Sequence, residues 1–203
     1  MSKSVDFYYD YASPTAYLAW TQLARICNEK GATLNYKPFL LGGVFKATGN
    51  QSPVAIPAKA KYMFADLSRW ATHWGVPLQF NPHFPINSMT LMRAAAGVQL
   101  RLLQRLEEFN RAVFHAMWVD AQDLSQPEVV AAVLDAAGFD AAAIAALAGE
   151  GEVKAALRAT TEEAIAQGAF GAPTFIVDKE LYWGQDRLFM VEQALAAAWE
   201  PAP

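Results

Sequence analysis

The sequence predicts a mixed α/β fold in which an all-helical block is inserted into a small sheet domain. Three observations predict it: the chain opens on a strand-helix-strand pattern, it closes on strand-strand-helix, and the long stretch between carries helical patterns punctuated by proline. A strand-helix-strand start implies a parallel pair with a right-handed crossover, because parallel neighbours need a long connection.

Each element has a local reason. Residues 5–10 ("VDFYYD") are aromatic and β-branched and read as a strand, although Tyr8-Tyr9 blurs the alternation. Ser13 is placed to cap a helix whose first position is Pro14, where no donor N–H is needed. Tyr17, Trp20, Leu23, Ala24 and Cys27 recur at helical spacing, and Gly31 ends the helix. Residues 33–39 alternate again, with Leu34 and Tyr36 on one face. The segment "LLGGVFKATGNQSPVAIP" reads as a long connection of the kind that serves as a binding loop. Helices are expected over 58–74, 88–119, 127–137, 141–147 and 151–167, with Pro77, Pro82, Pro85 and Pro127 between or before them. The alanine-rich tract 131–148 reads as close-packed short helices. Residues 174–177 and 181–183 are strands joined at Asp178-Lys179. Gly184 breaks the pattern, Asp186 can cap, and Leu188, Val191, Leu195 and Trp199 stripe a last helix. The expected division is a discontinuous sheet domain, 1–50 with 168–203, around a helical insertion, 51–167. No internal repeat is visible.

Composition narrows the function classes. With 203 residues and 54% apolar side chains, the chain can bury a sizeable core. No apolar run is long enough to span a bilayer, and the start resembles no signal region, so a cytoplasmic protein is expected. A net charge of -4 argues against a nucleic-acid surface. The single cysteine, Cys27, excludes an intrachain disulfide and a CxxC centre, and within a helix it reads as a small buried hydrophobe. His73, His83 and His115 form no ligand pair at useful spacing, so no metal is expected. Trp70, Trp74, Phe114 and Trp118 read as helix packing.

The order β-α-β, helices, β-β-α is that of a thioredoxin-like domain with a helical insertion. "FYYDYASPTAYLA", "FLLGGVFKATGNQSP", "FGAPTFIV" and "WGQDRLFMVEQAL" occur in the order found in one family. From Val5 to about Trp199 the chain resembles the 2-hydroxychromene-2-carboxylate isomerases and kappa-class glutathione transferases, relatives of the DsbA oxidoreductases. The resemblance implies glutathione as cofactor, a small aromatic carboxylate as substrate and a homodimer. It implies that Ser13 faces the glutathione sulfur and that Asn50 lies at or near the glutathione site. It implies that Ala172, before a cis Pro173, pairs with the peptide backbone, and that Gly184, Gln185, Asp186 and Arg187 approach the γ-glutamyl end. By the same resemblance Phe45, Lys59, Tyr62, Asn87 and Ser88 lie near the second-substrate pocket, with Asn87 or Lys59 as a donor to a developing enolate.

Each residue also has a plainer reading. Ser13 alone is an N-cap, worth ~1 kcal/mol. Thioredoxin-like oxidoreductases place their attacking cysteine at this junction because a helix start lowers a thiol pKa. "SPTA" has no sulfur, so the chemistry open to it is that of a thiol brought from outside, which a hydroxyl can steady. No G-x-S-x-G surrounds Ser13, which weakens a hydrolase reading. Asn50 is otherwise a turn residue with positive φ, Pro173 a strand-opening proline, Asp186 a cap, Arg187 and Lys59 surface charges, and Tyr62 and Phe45 core. The leading expectation is a glutathione-dependent isomerase. A kappa-type glutathione transferase and a non-enzymatic peptide- or thiol-binding module are the alternatives.

Overall fold

The computed structural model describes residues 3–196, so the expected Trp199 end of the last helix lies outside the described residues. Strand β1 (Ser4–Tyr9), helix α1 (Pro14–Lys30) and strand β2 (Thr33–Pro38) form the expected parallel unit, in register from Ser4 opposite Thr33 to Tyr9 opposite Pro38. Strands β3 (Thr174–Val177) and β4 (Glu180–Trp183) add antiparallel, giving the order β2-β1-β3-β4. Their turn uses Asp178 and Lys179, both with positive φ (51° and 72°), as a two-residue hairpin requires.

The blurred alternation in β1 has a physical cause: the strand is covered on both faces. Phe7 and Tyr9 point into the main core, where Phe7 stacks on Phe175 at 5.5 Å between centroids. Tyr8 points the other way into a second cluster with Phe39, Val44, Ala164 and Ile176. Ser13 caps α1 by accepting the Ala16 N–H at 3.1 Å, and Gly31 closes it in the left-handed conformation.

Between β2 and β3 run α2 (Leu41–Thr48), α3 (Pro57–Trp74), α4 (Met89–Arg101), α5 (Leu106–Trp118), α6 (Pro127–Ala136), α7 (Ala141–Gly149) and α8 (Gly151–Ala166). Helix α5 is tied to the sheet by polar groups inside the core. Tyr9 and Tyr11 hydroxyls both donate to Asn110 Oδ1, at 2.8 and 2.6 Å, and Trp118 Nε1 donates to the Tyr11 carbonyl at 2.8 Å. Cys27 is 2% exposed, and burial pushes its thiol up to about 11. Phe114 and Trp118 are core, and Trp70 and Trp74 pack against it. No helix among the described residues is long and apolar enough to cross a membrane.

Three expectations are corrected. The segment after β2 is not all connection: α2 occupies Leu41–Thr48 despite its glycine pair. Its start is held from outside, with Leu41 N–H donating to Asp10 Oδ2 at 2.9 Å and Leu40 N–H to Thr161 Oγ1 at 3.0 Å. The expected helix over 88–119 is two helices. Leu102 leaves helical geometry (φ -139°, ψ 43°) and a 3-10 turn at Leu103–Arg105 joins α4 to α5, so that both bury apolar faces in one core. The turn after β4 is a 3-10 turn (Gln185–Arg187) capped by Gly184, with α9 (Leu188–Ala196) following; Asp186 lies inside the turn.

Candidate active site

The N-terminus of α1, the loop before β3, the turn after β4 and the helices α2 and α3 surround a cavity of about 1100 Å³. Ser13 stands on its wall, 4% exposed. The Ser13 oxygen is 3.3 Å from the Ala172 carbonyl, to which it can donate, and 2.8 Å from Thr15 Oγ1. Thr15 donates to the same carbonyl at 2.9 Å. The Ala172–Pro173 peptide is cis. The Ala172 carbonyl is thus turned toward α1 and engaged by its hydroxyls, whereas the Ala172 N–H donates to no group among the described residues. Ala172 itself lines the cavity, and Pro173 is not part of its wall.

Beneath this corner sits Asp10, wholly buried. Its carboxylate accepts from Ala12 N–H, Leu41 N–H and Ser88 Oγ, each at 2.9 Å, and its carbonyl accepts the Ser13 N–H at 2.9 Å. One side chain therefore joins the Ser13 loop, the start of α2 and the start of α4. No lysine, arginine or histidine among the described residues pairs with it. Burial pushes the Asp10 carboxyl above its ordinary value, against the pull of the two N–H groups and the Ser88 hydroxyl.

The remaining expected residues divide. Asn50, Gly184, Gln185 and Asp186 line the cavity, as do Phe45, Lys59 and Tyr62. Asn50 donates to the Phe170 carbonyl at 2.8 Å, and the positive φ of its turn belongs to Gly49 (71°). Gly184 has φ 96°, a conformation for which this turn needs a glycine, and a Cβ there would also push the Asp186 carboxylate aside. Arg187 is exposed and off the cavity wall, paired with Asp186 at 2.6 Å. Asn87 and Ser88 are likewise off the wall. The Asn87 oxygen accepts the Met89 N–H at 3.0 Å, and the buried Ser88 hydroxyl is committed to Asp10. Lys59 brings a cation to the α3 side, and Asp66 and Asp186 bring acids.

Matching to described families covers residues 4–196 with the one described as "DSBA-like thioredoxin domain". The chain belongs to the DSBA-like thioredoxin family. Within it, the chain is 32% identical over 201 residues to 2-hydroxychromene-2-carboxylate isomerase of Sphingobium xenophagum, covering 96% of this chain and 99% of that one. It is 29% identical over 211 residues to glutathione S-transferase kappa 1 of Homo sapiens, covering 98% and 93%. A solved structure of 2-hydroxychromene-2-carboxylate isomerase superposes with a TM-score of 0.83 at 30% identity, over 95% of this chain and 94% of that one. The expected fold, a thioredoxin-like sheet with a helical insertion, is the fold of this DSBA-like chain, and homology to these enzymes supports an enzymatic function for it.

Five residues of this DSBA-like site escaped the sequence reading. Asp10 reads there as the end of a strand, and Thr15 is not singled out. Phe170 and Trp183 form an exposed aromatic pair on the rim, with centroids 5.0 Å apart. Gly171 belongs with them, because a Cβ there would stand 2.5 Å from Trp183 Nε1. The available signal was spacing: Phe170-Gly171 and Trp183-Gly184 each put an aromatic beside a glycine at a site loop.

Proposed function

We propose that the protein is a glutathione-dependent cis-trans isomerase that interconverts a 2-hydroxychromene-2-carboxylate and a trans-o-hydroxybenzylidenepyruvate. One observation carries this reading: a buried-edge serine hydroxyl, in place of a thiol, stands at the start of α1 on the cavity wall, beside the residue before a cis proline. Similarity to enzymes of that name over nearly the whole chain supports it.

The residues present fit glutathione. The Ala172 N–H, without a partner among the described residues, is suited to a peptide carbonyl, as in strand addition. The Asp186 carboxylate on the wall is suited to an α-amino group, and Asn50 and Gln185 add polar side chains nearby. Held with its sulfur at Ser13 and its peptide at Ala172, glutathione would supply a thiolate for reversible addition to a conjugated double bond, the chemistry that permits rotation and returns the cofactor. Ser13 donates its hydroxyl proton in a hydrogen bond to the anion, and the start of α1 adds a favourable potential. Lys59 on the α3 side draws the substrate carboxylate toward the apolar half of the cavity, where Phe45, Tyr62 and Met63 lie. Residues 51–167 act as the insertion that closes this half. The reading carries with it the cytoplasmic setting and the homodimer of the resemblance.

A second reading, a kappa-type transferase, keeps the same thiolate site and releases the adduct; the 29% identity to the human kappa enzyme favours its retention. The test follows 2-hydroxychromene-2-carboxylate absorbance with and without glutathione, in wild type and Ser13→Ala. We expect dependence on glutathione without its consumption, and a loss of about 10²–10³-fold in Ser13→Ala, the scale for removing a donor to a reacting anion. Stoichiometric consumption selects the transferase. Indifference to glutathione defeats both.

A further inference from the structure

Three oxygens meet at the start of α1: Ser13 Oγ, Thr15 Oγ1 and the Ala172 carbonyl. A carbonyl only accepts, so at 2.9 Å Thr15 Oγ1 donates to Ala172, the shorter of the two hydroxyl contacts to that carbonyl. Ser13 Oγ already accepts the Ala16 N–H at 3.1 Å, which leaves its own proton for the Thr15 oxygen at 2.8 Å or the more distant carbonyl at 3.3 Å. In this arrangement the Ser13 proton is used inside the protein. An anion arriving in the cavity has to draw it away. Thr15, half-buried, lines the same cavity and is free to turn its hydroxyl.

We propose, on the reading that a glutathione sulfur is held at Ser13, that Thr15 is a positioning residue: its hydroxyl turns to donate to Ser13 Oγ and directs the Ser13 proton at the thiolate. The resting order is Ser13 to Thr15 to Ala172; the liganded order is Thr15 to Ser13 to sulfur. No covalent bond changes, and two hydroxyls rotate. Ser13 then accepts from both Ala16 and Thr15 while it donates, and a hydroxyl that accepts further hydrogen bonds donates more strongly, by about 10–30% per bond. The half-buried Ala172 carbonyl, released by Thr15, becomes an acceptor for a peptide N–H of the ligand. Both lone pairs of that carbonyl are then open to the ligand, where the resting arrangement leaves one.

The experiment titrates the enzyme-glutathione complex by the ultraviolet absorbance of the bound thiolate, in wild type, Thr15→Val, Thr15→Ser and the same valine change in Ser13→Ala. We expect Thr15→Val to raise the apparent pKa of the bound thiol by about half a unit, roughly threefold less thiolate at a fixed pH below it. Thr15→Ser restores the wild-type value, and in Ser13→Ala the valine change does nothing further. Thr15→Ala, which also lacks the hydroxyl, guards against a packing fault of valine. An unmoved thiol in both Thr15→Val and Thr15→Ala, or an equal rise without Ser13, overturns the proposal. Calorimetry on wild type separates the two failures: no glutathione binding defeats the functional reading, whereas binding with an unmoved thiol defeats the role of Thr15 alone.

Discussion

Replacing Asp10 by asparagine separates the charge of this buried residue from its shape. An amide oxygen in the place of Oδ1 keeps the bond from Ala12 N–H, and an amide nitrogen in the place of Oδ2 can donate to Ser88 once that hydroxyl turns. The Leu41 N–H then faces another donor, and leaving such a group unpaired costs about 1–3 kcal/mol. Against that cost stands relief from burying a carboxylate. Because burial raises the folded Asp10 pKa above 3.8, the folded state holds its proton to higher pH than the unfolded chain does. The stability that Asp10 contributes is therefore fullest below 3.8 and declines as pH rises toward the folded value, by at most ~1.4 kcal/mol per unit. Wild type should lead Asp10→Asn by about 1–3 kcal/mol at the acid end, and the lead should shrink with rising pH and then level. Urea unfolding of both proteins across a pH series measures this, and taking the difference cancels other groups. A lead that grows over the same window would mean that three hydrogen bonds outweigh burial, and the reasoning would be refuted.

Two further predictions concern the surroundings. In Gly171→Ala the new Cβ would lie 2.5 Å from Trp183 Nε1, so the indole must shift; the Trp183 indole N–H resonance should move and glutathione affinity fall, and an unmoved resonance would count against the close approach. Cys27, buried with its thiol pushed up to about 11, should ignore a disulfide reagent at neutral pH in the native protein and react fully in denaturant; stoichiometric labelling of the native chain would contradict its burial.

Elements with their own end signals were legible. Ser13-Pro14 and Gly31 bound α1, and Asp178-Lys179 turns β3 into β4, because capping and turn chemistry act within a few residues. The elements that were misread are those stabilised from far along the chain. Helix α2 contains a glycine pair, and the donors at its start are satisfied by Asp10 and by Thr161. The break at Leu102 has no proline or glycine to announce it; two helices folded into one core leave no room for a straight rod. The two-sided burial of β1 likewise erased the alternation by which a half-exposed strand is recognised.

The site was legible to the same rule and limit. Ser13, Asn50, Ala172 and the Gly184 turn come from short motifs, and they do converge on one cavity. Asn87 and Ser88 came from the resemblance alone, outside every short motif, and neither lines the cavity; their side chains serve Met89 and Asp10 instead. Ser88 shows why: its hydroxyl belongs to Asp10, which also holds α2 and, through its own carbonyl, the Ser13 N–H. A single buried carboxylate thus couples the insertion to the loop that presents the proposed sulfur site. Its three side-chain partners are drawn from loop 10–13, α2 and α4. A substitution at the Ser88 end should consequently be felt at Ser13 without any contact between the two, which is the behaviour expected of groups sharing one hydrogen-bonded network.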